Sequence, residues 1–304
     1  LKKEWEVVSS TENTFPTGQA TKRIDFVVTL KTPPTIVVKS NVIYNLDGVN
    51  VAITSDHYPL YCDFKKPTGL EEYPKAEGDL RIGNYFLTYC KGTDGVIDYD
   101  RTGRIIAKMN ADIVCLQGLD KETERSEGID QLNVLAQKAN MHDYFAKAID
   151  YKGGEFGVGI LTKEEPVSVD RYQMAGKSER RAAMVVEYEK FVVASTNFDT
   201  DIEALQTLET KLSAYNKPAF LLGYFNEGDL ESEFFQMVKS NWNLLSADKS
   251  TEVSGKKRRL DFIVSLKSHN VNVTQADVIE SLSGVDVTVA STHYPLFCDF
   301  SGLK

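Results

Sequence analysis

The chain has little of what usually carries catalysis or cross-linking: four histidines and four cysteines among 304 residues. Cys62, Cys90, Cys115 and Cys298 form no CxxC pair and show no zinc-ligand spacing, which excludes zinc ribbons and CxxC redox motifs. No apolar run approaches the ~20 residues needed to span a bilayer, and no signal-peptide pattern is present, so no membrane span is expected. Basic charge is also short. Against 44 acidic residues stand 35 Lys and Arg, a formal net charge of -9. That field repels phosphate backbones, so nucleic acid is not expected as a partner without a local basic patch or a metal. The one dense basic run, Lys256-Lys257-Arg258-Arg259, reads as a solvated turn before a strand. Leu1 stands where an initiator methionine would, which leaves the compartment open and permits an exported or periplasmic location.

What is present is an ordinary folding composition, 42% hydrophobic and 26% charged, and a repeat. Arg23-Ile24-Asp25-Phe26-Val27-Val28 leads to Ser55-Asp56-His57-Tyr58-Pro59-Leu60-Tyr61-Cys62-Asp63-Phe64. Arg259-Leu260-Asp261-Phe262-Ile263-Val264 leads to Ser291-Thr292-His293-Tyr294-Pro295-Leu296-Phe297-Cys298-Asp299-Phe300. Without a gap, 22–64 and 258–300 share 21 of 43 residues, which marks a duplication. With one single-residue gap the match extends upstream, because Leu1 to Trp5 resembles Val238 to Trp242. Cys62 and Cys298 occupy equivalent positions, as packing residues in strands rather than as a bridge.

Residues 1–64 read as a partial copy with a strand at about 23–30 and two further strands after Pro33-Pro34. Alone, such a segment buries too little apolar surface to be comfortable, so it is expected to pack on the rest of the chain or on a second chain. Residues 65–79, with Pro67, Gly69, Pro74 and Gly78, read as a linker, and 80–304 as a full domain. There, strands and helices alternate: a strand from Leu80, a helix capped by Asp98 or Asp100 carrying Ile105, Ile106 and Met109, and a strand over 112–117. A helix with Leu132, Leu135 and Ala139 and a strand over 144–149 follow. Phe156 to Leu161 is a strand whose glycines point to close backbone approach. Strands over 181–188 and 190–196 precede a helix with Ile202, Leu205, Leu208 and Leu212, and Ala219 to Gly223 is another buried strand. Alternation with hairpins implies mixed sheets covered by helices, an α/β class.

The order of these motifs resembles the endonuclease/exonuclease/phosphatase superfamily of metal-dependent phosphoesterases over roughly 80–300. The resemblance implies a DNase-I-like, four-layer helix-sheet-sheet-helix sandwich with its site at one end of the paired sheets, here with an extra N-terminal half-repeat. It also implies magnesium held by carboxylates, a polarised water and donors around the phosphate. Against that pattern the chain departs at five positions. Phe86 replaces an Asn, Gly118 the metal-binding Glu, Asn197 the phosphate-contacting His, Tyr224 the Asp that positions water, and Thr292 the carboxylate before His293. Asn226, Asp261 and His293 remain. The early copy keeps Asp25, Asp56 and His57, but lacks the rest of the set.

The pattern implies a degenerate member: a pseudoenzyme that has lost the magnesium site, uses no cofactor, and binds an unidentified ligand or protein partner. In such a site Asp261 and His293 are expected to be vestigial and structural. Tyr224, with no visible base and an ordinary phenol pKa near 10, is not expected to act as nucleophile or acid. The alternatives are an active metal-dependent phosphodiesterase or phosphatase using Asp261, or one copy of a tandem protein whose preceding copy, with Asp56-His57 intact, is the active one. A further expectation is a swapped oligomer in which 1–64 exchanges with 240–300 of another chain.

Overall fold

Helices begin where a short polar side chain accepts from an early backbone N–H. Asp98 accepts from Arg101 N at 2.8 Å to open α2 (Tyr99–Lys108). Asp130 does the same for α3 (Gln131–Ala139), Asp201 for α4 (Ile202–Ser213) and Ser232 for α5 (Glu233–Asn241). Their apolar faces are the ones the helical spacing marks: Ile105 and Ile106, Leu132 and Leu135, and Leu205, Leu208 and Leu212 are all buried. In the computed structural model, residues 5–30, 36–65 and 73–304 are described, and the chain divides between Glu72 and Tyr73 into two compact units.

The second unit holds two mixed six-stranded sheets. One contains β5 (Leu80–Phe86), β6 (Ile113–Lys121), β7 (His142–Tyr151), β8 (Gly154–Thr162), β15 (Asn272–Val278) and β16 (Leu296–Ser301), in the order β15-β16-β5-β6-β8-β7. The other contains β9 (Ser168–Met174), β10 (Arg181–Glu187), β11 (Val192–Asn197), β12 (Ala219–Tyr224), β13 (Trp242–Leu244) and β14 (Asp261–Leu266), in the order β13-β14-β12-β11-β10-β9. The central strands β6, β11, β12 and β14 are buried almost throughout because both faces are covered. From β12, Phe220 and Leu222 enter the core between the sheets, while Ala219 and Leu221 pack with α4 and α5. From β5 and β16, Ile82 and Cys298 face the inter-sheet core, while Tyr85 and Phe297 join Ile105, Ile106 and Leu135 of α2 and α3. The result is a helix-sheet-sheet-helix sandwich. Gly157 bears out the expected close approach: a Cβ there would lie 2.1 Å from the Ala146 carbonyl oxygen.

The linker expected over 65–79 does not hold throughout. Lys65 closes a strand, 66–72 lie outside the described residues, and 73–79 belongs to the second unit. The physical reason is Arg81, fully buried, which donates to the backbone carbonyls of Tyr73 (2.7 Å) and Pro74 (3.2 Å) and so ties that segment down.

The first unit contains β1 (Trp5–Val7), β2 (Val28–Leu30), β3 (Ile36–Val42), a one-turn α1 (Val51–Thr54) and β4 (Leu60–Lys65). These reproduce β13, β14, β15, the one-turn α6 (Val287–Ala290) and β16, pairing for pairing. Trp5 pairs with Leu30 as Trp242 pairs with Leu266. The β3–β4 ladder slips between Val37 and Lys39, and the β15–β16 ladder slips between Val273 and Gln275 at the equivalent place. Arg23 bonds Ser9 as Arg259 bonds Ser246. The strand expected at 23–30 is a correction: only 28–30 is strand. Its counterpart β14 begins at Asp261, and residues 261–263 pair solely with β12, a neighbour that has no counterpart in the first unit's two-stranded sheet.

Candidate functional site

Because β5 runs parallel to β6 and β11 parallel to β12, while β14 and β16 run against them, six strand ends meet at one end of the sandwich. Phe86 ends β5, Asn197 ends β11, Tyr224 ends β12, Asp261 starts β14 and His293 precedes β16. Phe86, Tyr224 and His293 form one aromatic group. Ring centroids are 4.7 Å apart for Phe86–Tyr224, 4.7 Å for Phe86–His293 and 5.0 Å for Tyr224–His293.

Polar groups around the rings are bonded mostly to one another. Asp261 Oδ2 lies 2.6 Å from His293 Nδ1, in a pair whose side chains are 0% and 7% exposed. The other oxygen, Asp261 Oδ1, is buried with no hydrogen-bond partner. The Tyr224 hydroxyl donates to Asn226 Oδ1 at 2.6 Å, so the retained amide is held by the residue that replaces its acidic neighbour. Burial, then the nearby Asp261 charge, pushes the Tyr224 phenol upward, so it stays neutral at ordinary pH; Arg258 and Arg181 oppose this. Thr292 pairs its hydroxyl with Thr88 at 3.0 Å, a contact its early counterpart Asp56, exposed, does not share.

Gly118 is the extra residue of a bulge between Gln117 and Leu119, in the left-handed region at φ +72°. A Cβ built there would stand 3.3 Å from Thr88 N and 3.5 Å from the Phe86 ring. Phe86 and Gly118 are therefore complementary, the ring lying close to the space a side chain at 118 would enter. Asn197 sits in register with Tyr224. Among the described residues no group of three His, Cys, Asp or Glu side chains is arranged to hold a metal ion.

Sequence reasoning missed a buried polar bridge beneath the rings. Gln117 Nε2 donates to Asn84 Oδ1 (2.8 Å) and, across the sheets, to Ser195 Oγ (3.1 Å). The available signal was three polar residues inside otherwise apolar strands. It also missed Ser291, whose hydroxyl donates to the Phe86 carbonyl at 2.6 Å, and Thr251, whose hydroxyl accepts from the Leu260 and Asp261 amides. A cavity of about 550 Å³ opens at the start of β5 and is lined by Asp112, Thr162, Lys163, Tyr188, Phe191 and Lys304 among others; none of the sequence-marked site residues lines it.

In the early copy, His57 Nδ1 stands 2.8 Å from Asp25 Oδ2, repeating the Asp261–His293 geometry with both side chains more than one-third exposed. Asp25 is held below the usual carboxylate range, first by the Thr14 hydroxyl and then by His57.

No family model matches the sequence, and no curated protein matches it. Solved structures do. An endonuclease/exonuclease/phosphatase protein from Beutenbergia cavernae is 18% identical with a TM-score of 0.62, covering 75% of this chain and 73% of its own. One from Bacteroides vulgatus is 16% identical with a TM-score of 0.61, covering 74% and 99%. The human Nocturnin catalytic domain, in a structure with bound sulfate, is 20% identical with a TM-score of 0.55, covering 75% and 96%. With two six-stranded sheets between helix layers and these structural neighbours, the chain has the DNase-I-like fold of the endonuclease/exonuclease/phosphatase superfamily.

Proposed function

We propose that the second unit is a pseudoenzyme of this superfamily, a binding module that has lost magnesium-dependent phosphoester hydrolysis. The observation that carries this reading is the packing of Phe86 and Tyr224 on the retained His293, at strand ends where the superfamily pattern calls for an amide and a carboxylate beside that histidine. In-line hydrolysis of a phosphodiester needs a divalent cation on several oxygen ligands and charge stabilisation worth several kcal/mol. The donors present do not fit magnesium: Gly118 offers no side chain, Asn226 accepts from Tyr224, and Asp261 is bound to His293. The ligand is either a protein partner or a phosphate-bearing molecule that rests on the rings, with Arg258 and Arg181 as the nearby cations.

The test is incubation with magnesium or manganese and bis(4-nitrophenyl) phosphate. We expect no release above the blank and no change on His293→Ala; metal-dependent turnover that His293→Ala abolishes would overturn the reading. A second reading, residual hydrolysis, is favoured by Asp261 Oδ1, a buried carboxylate oxygen with no partner. Crystals grown in excess manganese separate the two: an ion on that oxygen supports the second, an undisturbed Asp261–His293 pair the first.

A further inference from the structure

The first unit exposes apolar side chains whose counterparts in the second unit are core. Phe26 is 48% exposed and Phe262 0%; Phe64 is 44% exposed and Phe300 0%; Trp5 is 43% exposed and Trp242 1%. The second unit displays what covers each position. Phe262 packs its ring on Phe225 and Phe235, at 5.2 and 4.7 Å, Phe300 on Phe220 of β12 at 4.6 Å, and the Trp242 indole donates to Glu209 of α4. The backbone repeats the contrast. β14 is bonded to β12 and β16 to β5, whereas among the described residues β2 and β4 each belong to a two-stranded sheet and have one edge unpaired. The charges differ as well: Asp299 is gripped by Arg81 of β5 through two bonds of 2.7 Å, while its counterpart Asp63 is exposed and faces only Lys39 across the β3–β4 ladder among the described residues. Open edges and exposed large apolar side chains of this kind mark an interaction surface.

A second copy offers the edges of its β5 and β12 only if its β16 and β14 are displaced, since each of those strands already has a neighbour on both sides. The path of the chain selects the source. α5 runs directly into β13 at Trp242, and Leu1 to Trp5 matches Val238 to Trp242, so covering elements would enter β1 along the same polypeptide. We infer that the first unit is the closing part of another DNase-I-like sandwich, completed by a segment of the same polypeptide preceding residue 1, which supplies counterparts of β5 and β12 and an arginine opposite Asp63. This assignment is independent of whether either sandwich hydrolyses anything.

The experiment compares the 304-residue chain with the same chain extended by its natural upstream coding sequence, using backbone amide exchange over 24–30 and 60–65 together with light scattering. The edge amides of the monomeric 304-residue chain are expected to exchange nearly as fast as free peptide, and the extension to slow them at least about 100-fold. Asp63→Ala is expected to undo much of that protection over 60–65 in the extended chain and to leave the 304-residue chain unchanged. Equal exchange in both proteins, or an upstream sequence without strands and arginine at those positions, overturns the proposal. So does protection already present in the 304-residue chain with a dimer mass, which would assign the surface to a second copy.

Discussion

Removing the His293 imidazole would leave Asp261 with both oxygens unpartnered in a site closed to water, whereas removing His57 would leave Asp25 a carboxylate that water reaches. Breaking a buried pair costs about 3–5 kcal/mol and an exposed one about 0–1 kcal/mol. His293→Ala should therefore lower the urea midpoint of the second unit strongly, and His57→Ala should barely move any transition. At Gly118, substitution by Glu meets a left-handed backbone as well as the Phe86 ring. We expect a loss of about 1–3 kcal/mol, only partly relieved by adding Phe86→Asn, since the backbone strain stays; thermal unfolding of the single and double variants checks this. The replaced residues were legible in the motifs. Their couplings were not: Tyr224 holding Asn226, and Gln117 reaching Asn84 and Ser195, depend on which strand ends face one another, and no local pattern records that.

The loop entering β14 is braced by Glu252, which takes two bonds from Arg258 at 2.6 and 2.8 Å and is held down at about 2, first by that guanidinium. Its unfolded value is about 4.3. A depressed carboxylate contributes stability that is fully present above the unfolded value and is lost as pH falls toward the folded one. The contribution is modest because Arg258 is half exposed. Stability curves of the wild type and Glu252→Gln should differ above about pH 5 and converge near pH 2, as read by denaturant titration at each pH. At this scale helices were legible from caps and apolar spacing, since both are local. Strand bounds were less so. Arg23 to Leu30 and Arg259 to Leu266 are nearly the same string, yet 25–27 is irregular and 261–263 is strand, because the partner strand decides.

The first unit's buried apolar cluster contains Val42, Val51 and Tyr58, against three large clusters in the second. A segment of that size is marginal on its own. Calorimetry of the 304-residue chain should resolve two transitions, the weaker one at lower temperature and abolished by Tyr58→Ala, with the main peak unmoved. The whole sandwich was legible through the family resemblance that the order of motifs carries; the open edges were not, because exposure depends on what is absent from a neighbourhood. The shared ladder slip, at Val37/Lys39 and at Val273/Gln275, has its own meaning. Losing such an irregularity would slip the register by one residue and turn every following side chain to the other face of its sheet, so it is not removed by small steps. The kink is therefore shared even where the two segments part, at Asp56 against Thr292 in sequence and at 25–27 against 261–263 in backbone conformation.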